Sequence, residues 1–292
     1  MAAIEFRGVS KTFPIRSEGR SRGAQPGDRS EGGRASDAFT AVQDVDLRIG
    51  RGEFLTLVGP SGCGKSTLLD LVAGLAPVTS GEVLVSDRVV TGPGLDRGIV
   101  FQQYALFPWR TAIANVAFGL ESLPLSRADR DERARYFLDL VGLTGFEQRY
   151  PHELSGGMKQ RVAIARSLAY QPQVLLMDEP FAALDAQTRE GLQEELLRIW
   201  SSTGMTVLFI THGIDEAVYL GQRVAVMTKR PGRIKAVLEV PLNPLQTDGD
   251  LRSHPDFVRY RHEVWELLHD EVAATRSLER QDLEGVGHRA SR

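Results

Sequence analysis

The chain is 292 residues long, 42% hydrophobic and 25% charged, with 35 Lys+Arg against 38 Asp+Glu and a net charge of -3. That is the composition of an ordinary globular protein with material for one large or two modest domains, and the balanced charge argues against a dedicated nucleic-acid surface. No apolar run approaches the roughly 18 residues that a bilayer-spanning helix needs. The first residues carry no secretory pattern and the single cysteine, Cys63, excludes an internal disulfide, so a reducing cytosol is the expected compartment.

Residues 3–13 read as a short strand. The stretch 16–38, RSEGRSRGAQPGDRSEGGRASDA, has no large apolar side chain to offset its ordering entropy and is expected as a mobile insertion. Alternation returns in AVQDVDLRI (41–49), and EFLTLVG (53–59) runs apolar into a glycine loop. KSTLLDLVAGL (65–75) has a helical pattern that closes at Gly74, and RGIVF (97–101) reads as a strand. LPLSRADRDERARYFLDLVGL (123–143) predicts a Ser-capped amphipathic helix with Tyr136, Phe137, Leu140 and Val141 on its apolar side. After LSGG (154–157) a further helix carries Met158, Val162, Ala165 and Leu168 or Ala169 at helical spacing.

The unbroken apolar runs 174–177 and 207–210 read as strands buried on both faces, hence as members of a parallel sheet. The helix QTREGLQEELLRIWSS (187–202) joins them as a right-handed crossover. Beyond Pro241 a turn-rich stretch leads into the amphipathic helix VRYRHEVWELLHDEVAA (258–274). The fold class is therefore α/β with a mostly parallel sheet, and the tail is an appendage to it.

Chemistry concentrates in a few places. Gly59, Pro60, Ser61, Gly62, Cys63, Gly64, Lys65, Ser66 and Thr67 fit the phosphate-loop pattern G-x-x-x-x-G-K-[ST] between a buried strand and a helix. Backbone N–H groups there can surround phosphate oxygens, Lys65 reaches the β and γ phosphates, and Ser66 can ligate Mg2+. Asp178 and Glu179 end an apolar strand. At the carboxyl end of a parallel sheet they fall beside the phosphate loop, Asp178 suited to the metal's water shell and Glu179 to taking a proton from water. His212 ends the strand TVLFIT, expected next to the other two, which aims it at the γ phosphate; Gln102, after RGIVF, could reach the metal or the attacking water. Cys63 is read first as a small space-filler, although Lys65 and a helix N-terminus beside it would lower its thiol pKa.

The joint order of GPSGCGKST, VFQQ, LSGGMKQR, VLLMDEP, AALD and ITH resembles the ATP-binding-cassette ATPases over roughly residues 3–238. The resemblance implies a P-loop NTPase core, an N-terminal antiparallel β subdomain and an inserted helical subdomain at about 103–168, with 239–292 as a C-terminal extension. It implies that Phe13 stacks on adenine, that Gln102 couples the metal and γ phosphate to a membrane partner, and that Asp185 lies in the loop crossing a dimer interface. Ser155, Gly156 and Gly157 would bind the γ phosphate of ATP held by a second copy of the chain. Met158, Ala182 and Gly213 depart from the commonest residues of the pattern.

ALFPWRTAIANVAFGLE, FAALDAQTR, MTKRPGRI and HPDFVRYRHEVWELL are similar to the ATPases of nitrate, sulfonate and taurine importers. Those work on the cytoplasmic face of the membrane with a separate permease and a solute-binding protein, and the anion favoured is a sulfonate or taurine over nitrate. The rival readings are a soluble cassette ATPase of DNA repair or translation, and a GTPase or small-molecule kinase. The first usually carries a coiled-coil insertion or two cassettes, and the second would leave LSGG without a role.

Overall fold

Which residues of a strand are buried decides how its sheet is covered, and here two sheets differ in that respect. The computed structural model describes residues 2–14, 38–242, 244–245 and 250–271. β1 (Ala2–Pro14) and β2 (Ala38–Gly50) are long, irregular and antiparallel, with Phe13 opposite Phe39 and Pro14 opposite Ala38. The stretch 16–38 expected as a mobile insertion therefore lies outside the described residues, save Ala38.

β3 (Phe54–Val58) is buried at every position. It feeds α1 (Lys65–Ala73), which stops at Gly74 because that residue turns left-handed with φ 75°. β4 (Ser80–Val85) and β5 (Arg88–Val89) complete the antiparallel sheet in the order β2-β1-β4-β5. β6 (Arg97–Val100) returns to the main sheet.

Three helices follow. α2 (Ala112–Phe118) is capped by Thr111, α3 (Arg127–Leu140) by a Ser126–Asp129 capping box, and α4 (Gly156–Ala169) by Ser155. They share one apolar core, with Val116 and Leu120 meeting Ala134, Phe137, Leu138, Val162 and Ala165. Tyr136 corrects the sequence reading of α3. It is 62% exposed, because the buried face runs through Ala134, Phe137, Leu138 and Val141, at helical spacing, about a quarter-turn away.

β7 (Val174–Asp178), α5 (Ala186–Thr203) and β8 (Thr206–Ile210) form the expected crossover, and α6 (Ile214–Leu220), β9 (Arg223–Met227) and β10 (Ile234–Glu239) follow. The main sheet runs β10-β9-β3-β8-β7-β6 and is parallel except at β10. β8 thus lies between β3 and β7, the adjacency on which the placing of His212 depends.

The chain ends its described part in α7 (residues 255–271). Phe257 and Val264 are buried in the main core. Lys235 donates to the Leu267 carbonyl at 2.8 Å and pairs with Glu271 at 3.0 Å, while the Glu271 carboxylate accepts from the Lys229 N–H at 3.0 Å. The tail is docked along the β9–β10 hairpin.

Candidate functional site

Parallel strands bring the same end of every strand to one edge of the sheet, so residues far apart in sequence meet there. The phosphate loop leaves β3 at Gly59 and enters α1 at Lys65. Gly64 has φ 106°, and a Cβ there would fall 2.5 Å from Val42 Cγ1 and 2.9 Å from the Ala41 carbonyl oxygen. Only glycine lets the loop pass so close to β2. Lys65, 5% exposed, donates to the carbonyls of Gly59 at 2.8 Å and Pro60 at 3.1 Å. An open cleft of about 380 Å3 is lined by Ser61, Gly62, Gly64, Lys65, Ser66 and Thr67 on the loop side and by Glu179 and His212 opposite.

Glu179 holds a left-handed backbone, φ 48°, which no glycine relieves. Its N–H donates to the Ile210 carbonyl at 3.0 Å, anchoring that turn to β8. Strain of this kind persists where surrounding structure enforces it. His212 Nε2 lies 2.5 Å from Glu179 Oε1, and Gln102 Nε2 donates to Glu179 Oε2 at 3.5 Å. Residues after β6, β7 and β8 therefore converge on one carboxylate beside the phosphate loop.

Asp178 supplies the test of whether a metal fits. Its Oδ1 is buried without a hydrogen-bond donor, an arrangement that costs free energy unless a cation or its water shell completes it. Burial, together with the charge of Asp178, pushes the Asp70 carboxyl of α1 above its ordinary range. The donor set of Asp178, the Ser66 hydroxyl and the Gln102 amide is all oxygen-capable, which suits a hard divalent cation such as Mg2+.

Other expected residues lie elsewhere. Phe13 does not line the cleft; it stacks on Phe39, with ring centroids 6.3 Å apart and planes at 26°, while Lys11 Nζ sits 4.9 Å over its ring. Phe39 and Arg230 line the cleft instead, the Arg230 guanidinium 4.1 Å over the Phe39 ring and its Nε donating to the Gly62 carbonyl at 3.4 Å. Sequence reasoning missed both; the signal was the basic KRPGR turn after the strand that neighbours β3.

Ser155, Gly156 and Gly157 start α4 and are not among the residues lining the cleft of their own chain. Ser155 Oγ accepts from the Met158 N–H at 3.3 Å, and a Cβ on Gly157 would come 2.6 Å from Thr188 Cγ2 of α5. Asp185 caps α5, its Oδ1 accepting from the Thr188 N–H at 2.9 Å, a bond that lowers its pKa. Cys63 corrects the expected direction of its titration. It is 1% exposed, and burial raises the thiol pKa against the opposing pull of Lys65.

Comparison with known proteins gives the family. The ABC transporter family model matches residues 42–182. An uncharacterised ABC transporter ATP-binding protein of Methanocaldococcus jannaschii is 53% identical over 80% of this chain and 85% of its own length. The nitrate import ATP-binding protein NrtD of Synechocystis is 51% identical over 79% and 89%, and the taurine import ATP-binding protein TauB of Roseobacter denitrificans 48% identical over 80% and 88%. A solved dimeric ATP-binding cassette in a post-hydrolysis state with ADP and Pi superposes with a TM-score of 0.66 at 31% identity, covering 82% of this chain and all of that one. A phosphate loop facing a strained Glu179, the LSGG helix and these relatives together place the chain in the ABC transporter family, as one of its ATPases.

Proposed function

We propose that this chain hydrolyses ATP to energise an importer of a small anion, taurine or an aliphatic sulfonate first and nitrate next. The observation that carries the catalytic part is the convergence of Gln102, Glu179 and His212 on the edge of the sheet that holds the phosphate loop. Lys65, tucked against Gly59 and Pro60, would swing its ammonium to the β and γ phosphates, and the loop N–H groups from Gly59 to Thr67 would surround them. Glu179 accepts a proton from the attacking water, and His212 holds that carboxylate and faces the γ phosphate. Ser66, Asp178 and Gln102 would hold Mg2+, which when bound neutralises phosphate charge. Phe39 and Arg230 line the wall toward which adenine would lie, and Phe13 supports that wall by stacking on Phe39.

Ser155, Gly156 and Gly157 lie outside this cleft, yet a serine at a helix N-terminus followed by two glycines is an anion site. They act on ATP held by a second copy, with Asp185 near the shared interface. The region 103–168 forms the helical subdomain that meets a separate permease at the cytoplasmic face of the membrane, and a solute-binding protein delivers the anion. The chain itself binds no nucleic acid. Among the described residues no helix is long and apolar enough to cross a membrane, consistent with a peripheral subunit. The importer names of the relatives set aside the repair and translation reading.

Two experiments test the proposal. Glu179→Gln should retain ATP binding and lose about 100-fold or more of turnover; a fully active variant removes Glu179 from the chemistry. Deleting the gene and comparing growth on taurine or an alkanesulfonate as sulfur source, and on nitrate as nitrogen source, identifies the solute; unimpaired growth on all three refutes this substrate class.

A further inference from the structure

The turn that carries His212 is held from the side away from the phosphate loop. The Thr211 hydroxyl accepts from the Gly213 N–H at 2.9 Å and donates to Glu216 Oε2. Glu216 Oε1 accepts from Gln193 Nε2 at 2.8 Å. Gln193, on α5 and 2% exposed, accepts at Oε1 from Arg252 Nη2, also at 2.8 Å. Arg252 belongs to the turn Leu251–Ser253 ahead of α7, outside the stretch that matches the family model. Its guanidinium stacks 4.3 Å over the Tyr219 ring and lies 3.5 Å from Glu190. A cavity of about 390 Å3 has Glu179, His212, Thr211, Glu216, Gln193 and Arg252 among its lining residues.

The chain of bonds has a direction. A primary amide offers an acceptor on one side and donors on the other, whereas a guanidinium only donates. Arg252 therefore holds the Gln193 oxygen toward itself and turns Nε2 to Glu216. That leaves the second Glu216 oxygen for the Thr211 proton, and a lone pair on Thr211 for the Gly213 N–H. Burial pushes the Glu216 carboxyl up, with the Thr211 and Gln193 bonds and Arg189 acting against that and Glu179 adding to it. Taking away one donor leaves a buried acceptor short of a partner, which costs more than the bond itself contributes.

We infer that Arg252 is a positioning residue for hydrolysis, acting through Gln193, Glu216 and Thr211 to hold the His212 turn against Glu179. This rests on the reading of Glu179 and His212 given above. The segment beyond the sheet then sets how often the His212–Glu179 contact is made.

The test uses the full-length chain and Arg252→Met, which keeps an aliphatic stem over Tyr219 and removes every donor. The expected result is kcat about tenfold lower, one 1.4 kcal/mol step in the barrier, with KM for ATP close to wild type and a thermal midpoint lower by only about 2–4 °C. Gln193→Met should lower kcat by a similar factor, and the double variant should be no slower than either, since the two act in one chain of bonds. Arg252→Lys, still a charged donor, should recover part of the loss. His212→Ala is assayed alongside. If it is inactive while Arg252→Met keeps wild-type kcat, the positioning chain is refuted and the site reading stands; if His212→Ala is fully active, the site reading fails and this inference with it. Should Arg252→Met fail to fold, Thr211→Val and Gln193→Met, assayed per bound nucleotide, decide: full kcat in both overturns the proposal.

Discussion

Gly64→Ala is the sharpest perturbation of the phosphate loop, because two independent costs coincide there. Its φ of 106° is a conformation that an L side chain rarely adopts, and the new Cβ would lie 2.5 Å from Val42 Cγ1 and 2.9 Å from the Ala41 carbonyl oxygen. The left-handed backbone costs about 1–2 kcal/mol. Overpacking against β2, whose backbone cannot yield like a flexible side-chain tip, costs about 1–3 kcal/mol. The sum, about 2–5 kcal/mol, corresponds to a thermal midpoint lower by roughly 5–15 °C for a domain of this size. If the loop relieves the clash by moving, its N–H groups no longer converge on phosphate. Differential scanning fluorimetry with and without Mg-ATP reads both effects. ATP near 100 times its Kd should stabilise the wild type by about 2.7 kcal/mol and the variant scarcely at all. Gly92→Ala, where a Cβ meets nothing within 4 Å, is the control. A Gly64→Ala protein with the wild-type midpoint and an undiminished ATP shift would refute the reasoning.

Cys63, buried with a raised thiol pKa, should react with a thiol reagent at neutral pH far more slowly in the folded protein than in urea; rapid stoichiometric labelling of the native chain would contradict its burial. Gly191 lies within α5 with open space at its Cβ, so Gly191→Ala should raise stability by about 0.5–1 kcal/mol in urea unfolding, and a loss would show an unseen contact. Burial pushes the Glu195 carboxyl up to about 7 despite its pairing with Arg161. A carboxyl that binds its proton more tightly when folded contributes stability fully present below its ordinary value of 4.5 and lost as pH rises through about 7. Glu195→Gln should therefore flatten the decline in unfolding free energy between pH 5 and pH 8, by an amount on the order of 2–3 kcal/mol; a wild-type slope would contradict it.

The parallel core was legible because β3, β7 and β8 are short apolar runs ending in polar residues, and that pattern implies both burial and the edge at which function sits. Lys65, Asp178, Glu179 and His212 could be placed on one edge from strand adjacency alone. Phe39 and Arg230 could not. Their meeting depends on the β9–β10 turn crossing to β2, where the Gly232 N–H donates to the Ala41 carbonyl at 2.9 Å and the Gln43 N–H to the Gly232 carbonyl at 2.9 Å. No local pattern records that contact. Cys63 is the small space-filler of its first reading: its neighbours in sequence favour a thiolate, but its side chain is buried in the core it shares with Met227. Tyr136 shows the limit of an apolar stripe, since a residue one position off the buried face is carried about 100° round the helix. The line from Arg252 to Thr211 joins four separate elements through side-chain bonds, and only the folded structure shows it.

In the proposed mechanism the nucleotide site is completed by Ser155, Gly156 and Gly157 of a second copy. The most direct measurement is the solution mass of Glu179→Gln by light scattering, with and without Mg-ATP, in the presence and absence of Ser155→Arg. The chain of 32.2 kDa should double its mass with ATP in the single variant. Adding Ser155→Arg should abolish the dimer while nucleotide still binds. A Glu179→Gln/Ser155→Arg protein that dimerises with ATP as the single variant does, or a single variant that binds ATP and stays monomeric, would contradict the composite site.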